Sequence, residues 1–337
     1  MISRIKALSQ LNGISGDEDN VREWIISQIK DYCHYQVDNM GNLICFKKGL
    51  IIPSKRLMIS AHMDEVGMIV TAVTEEGLLK FTTVGGIDQR VVIGRAVRLY
   101  RAGITGVIGT KAIHQQTESE RKTPVKIEDM YIDIGAESKE EALNVIQLGD
   151  SISFIGDCFE FGDGCIQGKA LDDRVGCAIL IEMIQSKLKY DTYFTFVTQE
   201  EVGLRGGQTA AYNVEPDIAI VVEATTAADI TDVPEHKQVC HLGKGAVIGF
   251  MDRSTIYNRE LYDISYALGE KYEVACQTKT LVAGGNDAGA IQVSKGGVKT
   301  IAVSVPCRYL HSACCVMKTV DVQSTFKMVC LLAENLL

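Results

Sequence analysis

The chain has 337 residues, 46% of them hydrophobic and 23% charged, with 43 acidic against 34 basic side chains and a net charge of -9. That length allows about two domains of ~150 residues each, and the acidic balance, with no basic stripe, excludes non-specific nucleic-acid binding. No apolar run reaches the ~20 residues that span a bilayer, so no membrane partner is expected.

The N-terminal stretch Met1-Ile2-Ser3-Arg4-Ile5-Lys6 has no signal-peptide apolar region, which predicts a cytoplasmic protein. Eleven cysteines, an odd number without a Cys-x-x-Cys pair, are expected to be reduced thiols among apolar neighbours. Ile2, Ile5 and Leu8 recur at helical spacing and predict a first helix. Val21, Trp24, Ile25 and Ile29 predict a second, with Ser15 or Asp17 as its cap. Residues 42–46 and 56–60 read as strands.

From about 67 to 160 the texture becomes β-rich, with short β-branched runs at 68–73, 78–83, 96–100, 104–109 and 151–155 separated by glycines. The pattern predicts a small β domain, a barrel in form. Residues 114–126 are polar and aperiodic and are read as a mobile loop; 138–145 reads as a short helix with Glu141 at a capping-box position. After about 165 an α/β rhythm returns, with helices at 174–188, 205–213, 255–272 and 320 to the end, and strands at 193–197 and 218–222. A helix–strand pair occupies 286–304. Strands separated by helices predict a largely parallel sheet covered on both faces, interrupted by the β domain.

Candidate chemistry sits at the ends of the strand-like runs. His62-x-Asp64 offers an imidazole with a carboxylate two residues on to hold its other ring nitrogen; a surface turn is the plainer reading. Asp172-Asp173 precedes a helix, where a carboxylate can bridge two metals or merely cap the helix. Glu200-Glu201 puts two like charges at a strand end, which calls for a compensating positive charge. Adjacent side chains diverge, so one can bind metal while the other serves as general base; a solvated turn is the alternative. Glu223 and His311 follow apolar runs, as ligands or as rim residues. Taken as an ordered set, these residues point to a metal-dependent hydrolase. The run Gly284-Gly285-Asn286-Asp287-Ala288-Gly289 lacks the lysine of a phosphate-binding loop, so no nucleotide is expected.

The order and wording of these motifs resembles the di-metal aminopeptidases, the family of glutamyl aminopeptidases, deblocking aminopeptidases and tetrahedral TET peptidases, some labelled cellulase M or endoglucanase M. The resemblance is carried by Gly13-Ile14-Ser15-Gly16-Asp17-Glu18, Ala61-His62-Met63-Asp64-Glu65-Val66-Gly67, Gly85-Gly86-Ile87-Asp88, Tyr131-Ile132-Asp133-Ile134-Gly135, Lys169-Ala170-Leu171-Asp172-Asp173-Arg174, Gln199-Glu200-Glu201-Val202-Gly203 and Arg308-Tyr309-Leu310-His311-Ser312. It implies a zinc-exopeptidase-like three-layer α/β/α catalytic domain at 1–66 and 162–337, and an inserted β-barrel-like dimerisation domain at 67–161. It further implies two divalent ions, zinc or cobalt: one held by His62, Asp172 and Glu223, the other by Asp172, Glu201 and His311.

Glu200 would then be the general base, Asp64 would orient His62, and the Asp172–Asp173 peptide would be cis. The expected activity is removal of the N-terminal residue from short peptides through a water bridged by the two ions, in a homo-oligomer built from dimers up to a tetrahedral dodecamer. An N-acyl deblocking enzyme or other deacylase on the same centre is the rival reaction, and a peptide-binding scaffold the non-catalytic one. A glycosidase would call for two carboxylates flanking a sugar instead. Two positions depart from the family pattern: Glu223, where many members carry aspartate, and Asn286, where threonine is expected. Arg253 would favour an acidic substrate side chain or form a surface ion pair.

Overall fold

A computed structural model describes residues 1–337. It begins with helices α1 (Ile2–Gln10) and α2 (Asp19–Ile29). Their apolar stripes, Ile5 and Leu8, then Val21, Ile25 and Ile29, are completely buried, as helical spacing requires. Neither expected cap acts on α2. Glu18 occupies the cap position without a side-chain cap bond, while Ser15 donates to Asp64 and Asp17 accepts from Ser151. Tertiary partners have displaced the local ones. Strands β1 (His34–Val37), β2 (Leu43–Lys47) and β3 (Leu57–His62) follow, and every residue of β3 is buried.

The chain then closes a six-stranded barrel: β4 (Gly67–Val73), β5 (Leu79–Val84), β6 (Ala96–Leu99), β7 (Ile104–Gly109), β8 (Tyr131–Asp133) and β9 (Ser151–Phe154), in the order β4-β5-β8-β7-β6-β9. Alternation along β7, with Ile108 inside and Val107 outside, feeds a core of its own around Met68, Phe81, Leu99, Ile132 and Phe154. The three residues of β8 are too short for a period to be read. Residues 114–126 are not the structureless loop expected: they hold α3 (Glu118–Arg121), started by a reciprocal capping box between Thr117 and Glu120. In α4 (Lys139–Leu143) Ser138 accepts from Glu141 N, but the Glu141 carboxylate turns to Glu137 N, so the box is only half made.

Beyond the barrel come β10 (Phe159–Phe161), β11 (Cys165–Gly168), α5 (Leu171–Gln185), β12 (Thr192–Val197), α6 (Arg205–Val214), β13 (Ile218–Thr226), β14 (Ala246–Ile248), α7 (Arg259–Lys271), β15 (Cys276–Thr278), α8 (Ala288–Gln292), β16 (Lys299–Cys307), β17 (Cys315–Lys318) and α9 (Thr319–Asn335). The main sheet runs β1-β2-β12-β3-β13-β16-β14-β15, and β10, β11 and β17 form a small second sheet. Its centre, β12-β3-β13-β16, is parallel; β1, β2 and β14 join antiparallel. Helix α5 packs on β3 and β13, and α9 on β16 and β14. The parallel strands therefore deliver their carboxyl ends to one crevice, where such sheets bind ligands. All eleven cysteines are free, and no helix is long and apolar enough to cross a membrane.

Candidate active site

Register brings the site together. His62 is the last residue of β3 and lies beside Val197 of β12, three residues before Glu200. On its other side Val221 pairs with Ser60, so Glu223, two residues further on, is level with His62. Glu223 does not end its strand as the sequence suggested; β13 continues to Thr226 because it stays paired with β16 to Cys307.

Asp172 enters from the distorted start of α5, where Ala170 is left-handed (φ 51°), Asp172 and Asp173 are non-helical, and the peptide between them is cis. Capping falls to Asp173, whose Oδ1 accepts from Gly176 N at 3.0 Å. Asp172 is thereby left to face the crevice. His311 arrives on the loop after β16, itself left-handed (φ 57°).

The two histidines stand on either side of Asp172. His62 Nε2 is 3.4 Å from Asp172 Oδ1 and 3.7 Å from Glu223 Oε2. His311 Nε2 is 3.5 Å from Asp172 Oδ2 and 3.2 Å from Glu201 Oε2. One carboxylate thus turns an oxygen to each ring. The outer nitrogens face backbone: His62 Nδ1 lies 3.1 Å from the Asp64 carbonyl, and His311 Nδ1 lies 2.8 Å from the Gly86 carbonyl. Each such contact directs Nε2 into the crevice. Gly86 belongs to the barrel's β5–β6 connection, a contribution the sequence did not suggest.

The Asp64 carboxylate does more than approach His62 (Oδ1 to Nδ1, 3.4 Å). Its two oxygens accept from Glu200 N and Glu201 N, both at 3.1 Å, and from Ser15 Oγ at 2.7 Å. Burial alone would raise its pKa, but the His62 ring, Ser15 hydroxyl and Glu200 amide pull it below the ordinary value. Burial drives Glu200, Glu223 and Asp173 well above the usual carboxylate range, with carboxylate neighbours adding to it; Glu201 is raised likewise. His62 is pulled down by burial, yet Glu223, Asp172 and Asp64 carry it well above 6.5. His311 reaches about 11, burial being outweighed by Asp172 and Glu201.

His62, Asp172, Glu200, Glu201, Glu223 and His311 line one cavity of about 520 Å³, with Asp64 buried beside them. Arg253 and Lys279 also line it. Two buried carboxylates of the site were given no role from the sequence because each reads as a helix start: Asp173, and Asp287, which burial lifts to about 7.

The donor set suits divalent cations. Asp172 Oδ1, Asp173 Oδ2 and Glu223 Oε1 are buried without a hydrogen-bond partner, an arrangement that costs free energy unless a positive charge answers it. Ligand atoms of His62, Asp172 and Glu201, and likewise of His62, Asp173 and Glu223, lie within 4.8 Å of one another. Separations of 3.2–3.7 Å between the facing atoms match the roughly 3.3 Å between tetrahedral ligands at ~2.0–2.1 Å from an ion.

An α/β sheet with such a centre at its carboxyl edge defines a metal-dependent hydrolase. Residues 41–328 match the model of the M42 glutamyl aminopeptidase family, and the chain belongs to that family. A putative aminopeptidase of Acetivibrio thermocellus is 38% identical over 331 residues, 97% of each chain. The TET aminopeptidase of Thaumarchaeota archaeon SCGC AB-539-E09 superposes with a TM-score of 0.95 at 32% identity, covering 99% of this chain and 96% of that one. For the Pyrococcus horikoshii TET1 peptidase, described as assembling into a tetrahedron or a large octahedral shell, the TM-score is 0.88 at 37% identity, with 99% of both chains covered. The protein is a metal-dependent aminopeptidase.

Proposed function

We propose that this chain removes the N-terminal residue of short peptides at a two-ion centre, with His62, Asp172 and Glu223 holding one divalent ion and Asp172, Glu201 and His311 the other. The observation that carries this reading is the Asp172 carboxylate, one oxygen toward each histidine, with Oδ1 buried and without a hydrogen-bond partner. When bound, the ions, zinc or cobalt, supply Lewis acidity to the scissile carbonyl and acidify the attacking water. Glu200 takes the proton of that water and passes it to the leaving amine. Asp64 fixes the turn that carries Glu200 and Glu201, and sets the ring of His62.

Arg253 and Lys279 have no ion-pair partner in the cavity wall; they favour an acidic side chain on the residue removed. The reading extends to a three-layer body at 1–66 and 162–337, an inserted association domain at 67–161, and dimers that build a tetrahedral dodecamer, in keeping with the dodecamer and the tetrahedron described for TET1. Exposed apolar side chains on the barrel, Val107, Ile113 and Leu148 among them, favour burial between subunits. The free thiols favour a reducing cytoplasm.

The test is Glu200→Gln, assayed on aminoacyl-4-nitroanilides with zinc, cobalt and manganese and checked for bound metal. Turnover should fall at least ~10²–10⁴-fold with metal content intact. Undiminished turnover would end the assignment of the base.

A further inference from the structure

The turn that presents Glu200 and Glu201 is a strained piece of backbone. Gln199 sits in the left-handed region (φ 55°), which a non-glycine residue adopts only at a cost in free energy. Three successive amides, of Gln199, Glu200 and Glu201, point at buried carboxylates. The last two are held by Asp64; the first donates to Glu18 Oε1 at 3.1 Å, across 181 positions of sequence.

Glu18 is only 4% exposed and stands at the N-cap position of α2, where a side chain ordinarily turns back onto its own helix. It makes no cap bond there. Its Oε1 instead takes both Gln199 N and Gly16 N, the latter at 2.8 Å. Gly16 is left-handed too (φ 88°). The neighbouring Ser15 completes the junction by donating to Asp64, and Asp17 anchors the loop to the barrel through Ser151 and Arg101. Burial, then the nearby Asp64 carboxylate, raise Glu18 to about 7.

We infer that Glu18 is a positioning residue for the reaction: it holds the Gln199 amide and so fixes the turn from which Glu200 and Glu201 project. It lines no part of the cavity and acts only through the backbone. The inference rests on the roles proposed above for those two glutamates. Because both bonds go to Oε1 alone, the requirement is an acceptor at full glutamate reach. A formal charge is not needed, which separates a brace from a mere electrostatic neighbour.

Three variants decide it, compared at saturating zinc with Glu200→Gln alongside. Glu18→Ala and Glu18→Asp should lower kcat about 10–100-fold, the loss seen when a supporting hydrogen bond is removed from a metal site, with KM and metal content little changed. Glu18→Gln keeps the Oε1 acceptor and should recover kcat to within about threefold of the parent. Thermal unfolding monitors folding; if Glu18→Ala does not fold, the Asp and Gln variants still give opposite answers. A kcat for Glu18→Ala within about twofold of the parent, or Glu18→Asp outperforming Glu18→Gln, overturns the inference. Turnover surviving in Glu200→Gln would defeat the base reading instead, so the two failures are distinct.

Discussion

The sheet crevice and the barrel are built on opposite terms. Six ionisable side chains, His62, Asp64, Asp172, Asp173, Glu223 and Asp287, are buried at the carboxyl edge of the main sheet. From Gly67 to Phe154 the buried polar residues are only Asp150, Ser151 and Ser153. The barrel is therefore held by transfer of apolar surface from water, about 25 cal/mol per Å². The crevice works against folding: its charges are desolvated and crowded, and it persists because the sheet beneath it is rigid and apolar. Such regions are where function departs from the rules that govern the rest of a chain. The two regions meet at His311 Nδ1 and the Gly86 carbonyl, so the barrel supplies one support to the site without sharing its electrostatics.

Substitutions in the two regions should separate activity from stability. In the crevice, Asp172→Asn removes the charge that both halves of the cluster share. Loss of several kcal/mol of transition-state stabilisation predicts a fall in kcat/KM of about a thousandfold or more, together with loss of bound metal by elemental analysis. Retained metal and near-normal turnover would remove Asp172 from the centre. In the barrel, Ile132→Ala empties a fully buried site of the barrel core and should cost about 2–5 kcal/mol of stability in denaturant melts. Activity per folded, metal-loaded molecule should stay within a fewfold. A turnover loss comparable to that of Asp172→Asn would mean the regions are not separable.

The same contrast explains what the sequence made legible. Apolar periods are local, so α1, β3, β12, the barrel strands β4 to β7 and α9 could be read within a few residues. Glu200, Glu201 and both histidines stood out because charge follows an apolar run. Strands β8, β14 and β15 have three residues each, too few to show a period, and their pairing is decided by partners far along the chain. The continuation of β13 past Glu223 is set by pairing with β16, not by its own residues. Asp173 and Asp287 look like helix caps in sequence, and Asp173 is one. Gly86 contributes a carbonyl, which no side-chain pattern can announce. Glu18 was visible within a family motif, but its reach to Gln199 exists only in the folded chain.

The subtlest expected effect concerns metal-free protein, where the crevice must manage its charges alone. Glu200, Glu201, Glu223 and Asp173 have folded pKa values above their ordinary ones. As pH rises from the ordinary carboxylate range toward those values, the unfolded chain has released protons that the folded chain still binds, so stability falls. The histidines act in the same direction. Their contribution is complete below about 6.5 and is lost as pH rises toward about 11 for His311. Asp64 and Asp172 are depressed; they stabilise above about 3.8 and lose that effect only in acid. Between about pH 5 and pH 8 all terms that change therefore point downward for the metal-free form. Bound cations replace those protons and should flatten the slope. The Tm difference between zinc-loaded and chelator-treated protein should widen over that interval by roughly 2 °C, as expected for a change of about 1–2 kcal/mol in a chain of this size. Parallel curves would mean that metals do not neutralise the crevice charges, and would leave it no different in kind from the barrel.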